Sequence, residues 1–262
     1  MKLQLLSDLH LETEAYAPQP APGAELLVLA GDIDSTWAGL RQFAHWPVPV
    51  VFVPGNHEFD QRDVNEALVG LRAWCAELGI HLLDQDTLVV HSAAGQAVRL
   101  IGCTRWCDFD VFGAHERPRA MRAASYFVKV MRAHIGGQPF DPAAVRERAL
   151  AARDWLATTL ATPPAEPVAA TVVITHFGPS LRSADPRYGK QPGTASFCNN
   201  DEALMPGVNL WLHGHLHCRH DYLVQHAQGV TRVVSNARGH QHKGEPMGHD
   251  PHLVIQVPGT GR

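Results

Sequence analysis

Eight side chains suited to metal binding or proton transfer fall in five short clusters: Asp8 with His10, Asp32, Asn56 with His57, His176, and His215 with His217. Each cluster stands at or just beyond the end of a short apolar run, where a buried strand would deliver it. In open α/β sheets the crevice beyond the strand carboxyl ends is where ligands bind. The Asp8/His10 and His215/His217 pairs have i, i+2 spacing, which puts both side chains on one side of an extended chain. Gly31, Gly55 and Gly214 precede ligand-type residues and allow a tight turn or a close backbone approach there. Oxygen and imidazole donors without a thiolate suit manganese, zinc or iron rather than a structural cysteine–zinc site. With His57 set aside, seven donors remain, too many for one tetrahedral ion but enough for two if a carboxylate bridges them. Two ions about 3.5–4 Å apart form a clamp for in-line displacement at phosphorus.

The elements that must position these clusters are legible in outline. Lys2–Ser7, Leu26–Ala30 and Val48–Val53 read as buried strands, with a short helix over Trp37–His45 between the second and third. Asp63 is an N-cap for a helix carrying Val64, Leu68, Leu71 and Cys75 on one face. Thr87–His91 and Ala97–Cys103 flank Ala94-Gly95-Gln96 as a hairpin. A mostly helical stretch runs from about Pro118 to Ala161, its second helix starting at Asp141 and Pro142. Strands resume at Thr171–Thr175, Asn209–Leu212, Asp221–Gln225, Thr231–Ser235 and Leu253–Val257. The expected organisation is one domain over residues 1–262 with a helical insertion at about 105–165.

The blocks D-L-H (Asp8–His10), G-D (Gly31-Asp32), G-N-H-E (Gly55–Glu58), T-H (Thr175-His176) and G-H-L-H (Gly214–His217) occur in this order over most of the chain. In that order they resemble the calcineurin-like metallophosphoesterase superfamily, in its branch of bacterial phosphohydrolases. The resemblance implies an α/β fold, a four-layer sandwich of two mixed β-sheets flanked by helices. It implies that Asp8, His10 and His217 hold one metal, that Asn56, His176 and His215 hold the other, and that Asp32 bridges them. His57 is then no ligand: it contacts the phosphate and protonates the leaving oxygen. Departures narrow the reading. Gly31-Asp32-Ile33-Asp34-Ser35-Thr36 lacks the G-D-x-V-D-R-G extension of the Ser/Thr protein phosphatases, and Pro54 stands where they place Arg. Phe177 occupies the position of a second histidine found in many bacterial relatives. Asn236-Ala237-Arg238-Gly239 is similar to an N-x-R-G ending in bacterial phosphohydrolases, which makes Arg238 a candidate substrate contact.

The remaining features set the class. At 262 residues the chain can bury a large core without disulfides, and 45% hydrophobic with 18% charged residues describes a globular protein. A net charge of -4 with no basic run makes no strong case for nucleic acid. No window is apolar enough to span a membrane, and Asp8 and His10 interrupt any signal-peptide core, so the expected location is the cytoplasm. The cysteines, odd in number and irregularly spaced, read as free thiols. In the Arg119–Ala133 helix an apolar arc opposes a basic one, and Arg122 and Lys129 on the basic side are candidate contacts for an anionic substrate. The long loop Gly178–Cys198 is a candidate border of the site. His213 reads as a packed residue, and His240, His242, His249 and His252 as solvent-facing. The expected activity is hydrolysis of a small phosphomonoester or phosphodiester by a hydroxide activated between two divalent ions, manganese first, with iron or zinc as alternatives. Competing readings are a non-catalytic scaffold of the same fold and a pyrophosphate hydrolase on the same centre.

Overall fold

Period-two burial builds both sheets of the computed structural model, which describes residues 1–258; residues 259–262 lie outside it. In β1 (Lys2–Leu6) Leu3 and Leu5 face an inner layer and Leu6 an outer one. In β2 (Leu26–Leu29) Leu26 and Val28 point inward, Leu27 and Leu29 outward. The same alternation continues in β3 (Val50–Phe52), and β4 (Ile80–Leu82) follows the first helix. Three-residue strands such as β3 and β4 have little local preference. Burial at about 1.5–3 kcal/mol per large apolar side chain decides their conformation. The hairpin β5 (Asp86–His91) and β6 (Ala97–Cys103) opens the second sheet.

Between β6 and β9 (Ala170–Thr175) lie α2 (Arg117–Met131), the small hairpin β7 (His134–Ile135) and β8 (Gln138–Pro139), and α3 (Pro142–Ala161). The stretch expected to be mostly helical is therefore broken. Arg132 ends α2 in the left-handed region, and Gly136 and Gly137, also at positive φ, turn the hairpin. The remaining strands are β10 (Leu210–His213), β11 (Arg219–His226), β12 (Gly229–Asn236) and β13 (Val254–Gln256). One sheet has the order β13-β1-β2-β3-β4, antiparallel only at β13, and the other β11-β12-β10-β9-β6-β5, antiparallel at both edges. The two mixed sheets pack face to face through Leu3, Val28, Val51, Leu100, Val172, Ile174 and Leu212. α1 (Val64–Glu77) covers the outside of the first sheet with Leu71 and Cys75, and α3 covers the second with Leu156. The expected four-layer α/β sandwich is the observed architecture. No helix among the described residues is long and apolar enough to cross a membrane.

Local signals set the helix ends as expected. Asp63 accepts the Asn65 and Glu66 amides at the start of α1, and Asp141 accepts those of Ala143 and Ala144 at the start of α3. Arg99, from β6, closes the far end of α3 by donating to the carbonyls of Thr159 and Thr162. A buried ion cluster ties the end of the second sheet to the rest. Arg105, fully buried, donates to both oxygens of Asp201 (2.9 and 2.8 Å), to Asp108 (2.9 Å) and to the carbonyls of Trp106 and Ala149. Removing one partner of such a cluster strands a charge away from water, which typically costs about 3–5 kcal/mol. Asp201→Ala is therefore expected to lower the urea-unfolding free energy by about 3–5 kcal/mol. Asp221→Ala, which breaks the part-exposed pair with Arg232, should cost under about 1 kcal/mol in the same measurement.

Candidate metal centre and substrate cavity

The carboxyl ends of β1, β2, β3, β9 and β10 converge on one spot, and the turns there are unusually tight. Asp8, His10, Asp32, His215 and His217 all have φ between 47° and 72°, a region that non-glycine residues seldom occupy. Such strain persists where surrounding bonds over-determine it. Here the Asp8 amide donates to the Gly31 carbonyl, the His10 amide to that of Asp32, and the His215 amide to the Asp8 carboxylate at 2.9 Å. Two glycines are required by space. A Cβ on Gly31 would collide with the His176 ring and with Gly55, and one on Gly55 would collide with the Asp32 carboxylate.

Glu58 holds these turns together. Its buried carboxylate accepts the amides of Asp32 (3.0 Å), Ile33 (2.8 Å) and Gly55 (2.6 Å), so one side chain joins the turn after β2 to the turn after β3. Asp32 in turn accepts the His57 amide at 2.8 Å and lies 3.1 Å from His176 Nε2.

Two donor groups result. In one, Asp8, His10, Asp32 and His217 each present an atom within 4.8 Å of the others; in the second, Asp32, His176 and His215 do the same, so Asp32 belongs to both. Asn56 joins the second group, its Oδ1 3.2 Å from His176 Nε2. Each histidine has one ring nitrogen committed to an acceptor outside the group: His10 Nδ1 to Glu12 (3.1 Å), His217 Nδ1 to Glu245 (2.6 Å), His176 Nδ1 to the Ala30 carbonyl (2.9 Å) and His215 Nε2 to the Ser196 carbonyl (3.0 Å). With the outer nitrogen holding the ring's own proton, the inward nitrogen is the one a metal would take. His10 and His217 bring two such nitrogens within 3.1 Å of each other, an arrangement that suits a shared cation. The donor set fits divalent ions.

Burial opposes protonation of His176, but Asp32 raises its pKa to about 9, so an ion entering this group would displace a proton. Burial opposes ionisation of Asp32, yet His176 and His57 hold its carboxyl well below the ordinary value. Burial likewise opposes protonation of His57, but Asp32 and Asp60 raise it to about 10. His57 Nδ1 is bonded to Asp60 at 2.8 Å, and the ring borders the cavity.

The eight clustered residues of the sequence are thus brought together, and the three basic candidates are not. Arg238 is buried among Glu14, Gln241 and the Leu9 carbonyl, over the Tyr16 ring, and does not line the cavity. Arg122 and Lys129 are exposed and do not line it either. α2 is seated by Ala120, Ala124 and Met131, and at about 100° per residue Arg122 and Lys129 fall opposite that edge. The helix turns Tyr126, Phe127 and Val130 to the cavity instead. The opposite wall comes from the 178–198 loop, as its length suggested. His213 is buried against Ser183, as expected of a packed residue. The reading of the tail histidines changes for two of four. His240 is part-buried and stacked on His10 with ring centres 4.2 Å apart, and His249 bonds the Asn236 carbonyl. The cause is the segment after β12, which pairs with the end of β1 (Arg238 amide to Ser7, Gly239 amide to Asp8) and is carried across the site. The orienting residues Glu12 and Asp60 were signalled by their i+2 and i+3 spacing from His10 and His57. Glu58 lay inside a recognised block without a role, and Glu245 has no local signal.

The family model for calcineurin-like phosphoesterases matches residues 3–219. The fold is similar to that of phosphopantetheinyl hydrolase (PptH) from Mycobacterium tuberculosis, with 18% identity, a TM-score of 0.69, and 92% of this chain and 90% of that one covered. A partial overlap with the Thermus thermophilus sulfate thiohydrolase SoxB in complex with glycerol has 15% identity and a TM-score of 0.41, covering 81% of this chain and 33% of that one. No curated protein matches the sequence.

The bonds of Glu58 lead to a direct test. Glutamine offers one acceptor oxygen where the carboxylate offers two, so Glu58→Gln leaves at least one buried amide unpaired. An unpaired buried amide costs about 1–3 kcal/mol, expected as a lower urea-unfolding free energy in chelator-containing buffer.

Proposed function

The chain belongs to the calcineurin-like phosphoesterase family and is a phosphate-ester hydrolase, and on that footing we propose that it cleaves a phosphomonoester or phosphodiester at a centre of two divalent ions. Asp8, His10 and His217 would hold one ion, and Asn56, His176 and His215 the other, with Asp32 between them. The observation that carries this reading is the membership of Asp32 in both donor groups. Bound there, the pair of ions would supply charge neutralisation for the phosphate oxygens and an acidified water. Oxygen and imidazole donors without thiolate favour manganese, with iron or zinc as alternatives.

The chain's own residues supply the rest. His57 stands beside Asp32 without entering either donor group, and its Nδ1 donates to the Asp60 carboxylate, so that Nε2 is the nitrogen left to carry a proton to the departing oxygen. Glu12 and Glu245 hold His10 and His217 in orientation. The complete donor set and His57 speak against a scaffold without activity. A phosphopantetheinyl ester is a reasonable first substrate to try, given the fold of the mycobacterial hydrolase. The free cysteines, four of them buried, support a reducing compartment such as the cytoplasm.

Metal analysis tests the centre. The purified protein should carry about two divalent ions per chain and lose esterase activity on chelation, with recovery on adding manganese. Asp32→Asn should deplete both ions, whereas His10→Ala should chiefly deplete one; loss of a single ion in Asp32→Asn would show that it does not bridge. His57→Ala separates proton donation from metal binding. General acid catalysis is worth about 10²–10⁴ in rate, and it matters most when the leaving group is a poor one. The variant should keep both ions, lose activity by about that factor on alkyl esters, and lose far less on p-nitrophenyl esters. An equal loss on both would make His57 a phosphate-positioning residue.

A further inference from the structure

The cavity beside the donor groups, about 560 Å³, has a polar floor and an apolar wall whose most exposed side chains do not fill the core. Eight large hydrophobic side chains are exposed among the described residues, and four of them, Tyr126, Val130, Tyr188 and Phe197, line this one cavity. Tyr126 is 78% exposed and Tyr188 63%, so neither is held there by a need to fill the core. They come from two separate elements, α2 and the 178–198 loop, which pack on each other through the short helical turn Pro192–Ser196. Phe197 is stacked on His215, ring centres 4.9 Å apart, so the apolar wall begins at the donor group itself. Scattered exposed hydrophobics are ordinary, but a cluster beside convergent polar groups marks a ligand site.

The charges on the wall exclude one class of occupant. Arg187 is neutralised by Asp185, which takes Nε and Nη2 at 2.9 and 2.6 Å. Lys243 is then the only lysine or arginine lining the cavity outside an ion pair among the described residues, and Asp185 and Glu245 are there as well. A nucleoside polyphosphate or other polyanion would need several free cations beyond the donor groups, and the wall lacks them.

We propose that this wall is a leaving-group subsite for an uncharged, bulky apolar or aromatic alcohol. The substrate would then be a phosphate ester whose single anionic end meets the donor groups and whose organic part lies between Tyr126 and Val130 on one side and Tyr188 and Phe197 on the other. The assignment rests on the phosphoesterase reading for what happens at the phosphate, and on the geometry of the wall for the organic part.

Non-hydrolysable phosphonates test the subsite apart from catalysis. Methyl-, hexyl- and 3-phenylpropylphosphonate share one head group and differ only in the part that would meet the wall. Calorimetric titration of the manganese-loaded protein should show the phenylpropyl compound binding at least about tenfold more tightly than the methyl compound, the scale on which apolar pockets discriminate. In Tyr126→Ser and Phe197→Ser that ratio should fall to within about threefold; Tyr126 is exposed enough that its replacement does not threaten folding. Equal affinities across the series in the wild-type protein, or an undiminished ratio in both variants, would overturn the subsite. Hydrolysis of the matching methyl, hexyl and 3-phenylpropyl phosphates, and of their methyl phosphodiesters, is measured in parallel. Absence of hydrolysis with the binding ratio intact would overturn the phosphoesterase reading at this centre and support the subsite; hydrolysis without a ratio would do the reverse.

Discussion

The close approach of two turns around the Asp32 carboxylate is the constraint from which the rest of the site follows. Gly31 and Gly55 are in contact, and neither position has room for a side chain. Glu58 bonds the amides on both sides of that contact from a position with no access to water. A buried carboxylate is costly unless its oxygens are fully bonded, and here the backbone of both turns does the bonding. The cost of several left-handed residues is offset in the same place, because their amides and carbonyls are the groups that bond across from one strand end to the next. Parallel strands make this possible, since they bring β1, β2, β3, β9 and β10 to an end on one edge of the sandwich.

From that contact outward, each inward-facing nitrogen is set by an acceptor behind it. Two of these acceptors are main-chain carbonyls, and two are carboxylates, Glu12 and Glu245. The Ala30 carbonyl joins the end of β2 in the first sheet to His176 after β9 in the second, whereas Glu12 is local to His10. Glu245 and His240 reach the centre only because the chain after β12 crosses from the second sheet to pair with the end of β1 in the first. Arg238 belongs to this crossing. It anchors the segment to Glu14 and Tyr16, which holds its guanidinium away from the cavity lining.

The floor and the wall of the cavity answer to different physics. The floor is a set of short, directional bonds among buried polar groups, where small displacements are expensive. The wall is built from exposed aromatic and aliphatic side chains on α2 and the 178–198 loop, and it meets the floor at Ser196, whose carbonyl accepts from His215, and at Phe197, stacked on the same ring. The donor groups and the cavity wall are drawn from different parts of the chain, joined at Ser196 and Phe197.

The clusters from Asp8 to His217 were legible in the sequence because each pairs a period-two apolar run with a polar turn, and both the strand and what it delivers are local properties. The caps at Asp63 and Asp141 were legible for the same reason, and so were the class of fold and the choice of oxygen and imidazole donors. What lay beyond local pattern was decided by tertiary contact. β4 was too short to carry a period, and the β7–β8 hairpin interrupted a helical composition through two glycines. Glu245 and His240 are brought to the centre by a pairing that spans more than two hundred residues. The facing of α2 is the clearest case: its sequence has an apolar and a basic arc, and periodicity alone points neither at the cavity. Only the seat of Ala120, Ala124 and Met131 against the core determines the rotation, sending Arg122 and Lys129 to solvent and Tyr126 and Val130 to the site. A helix's amphipathic pattern is a property of its own residues; the direction in which its flanks look is a property of what it packs against.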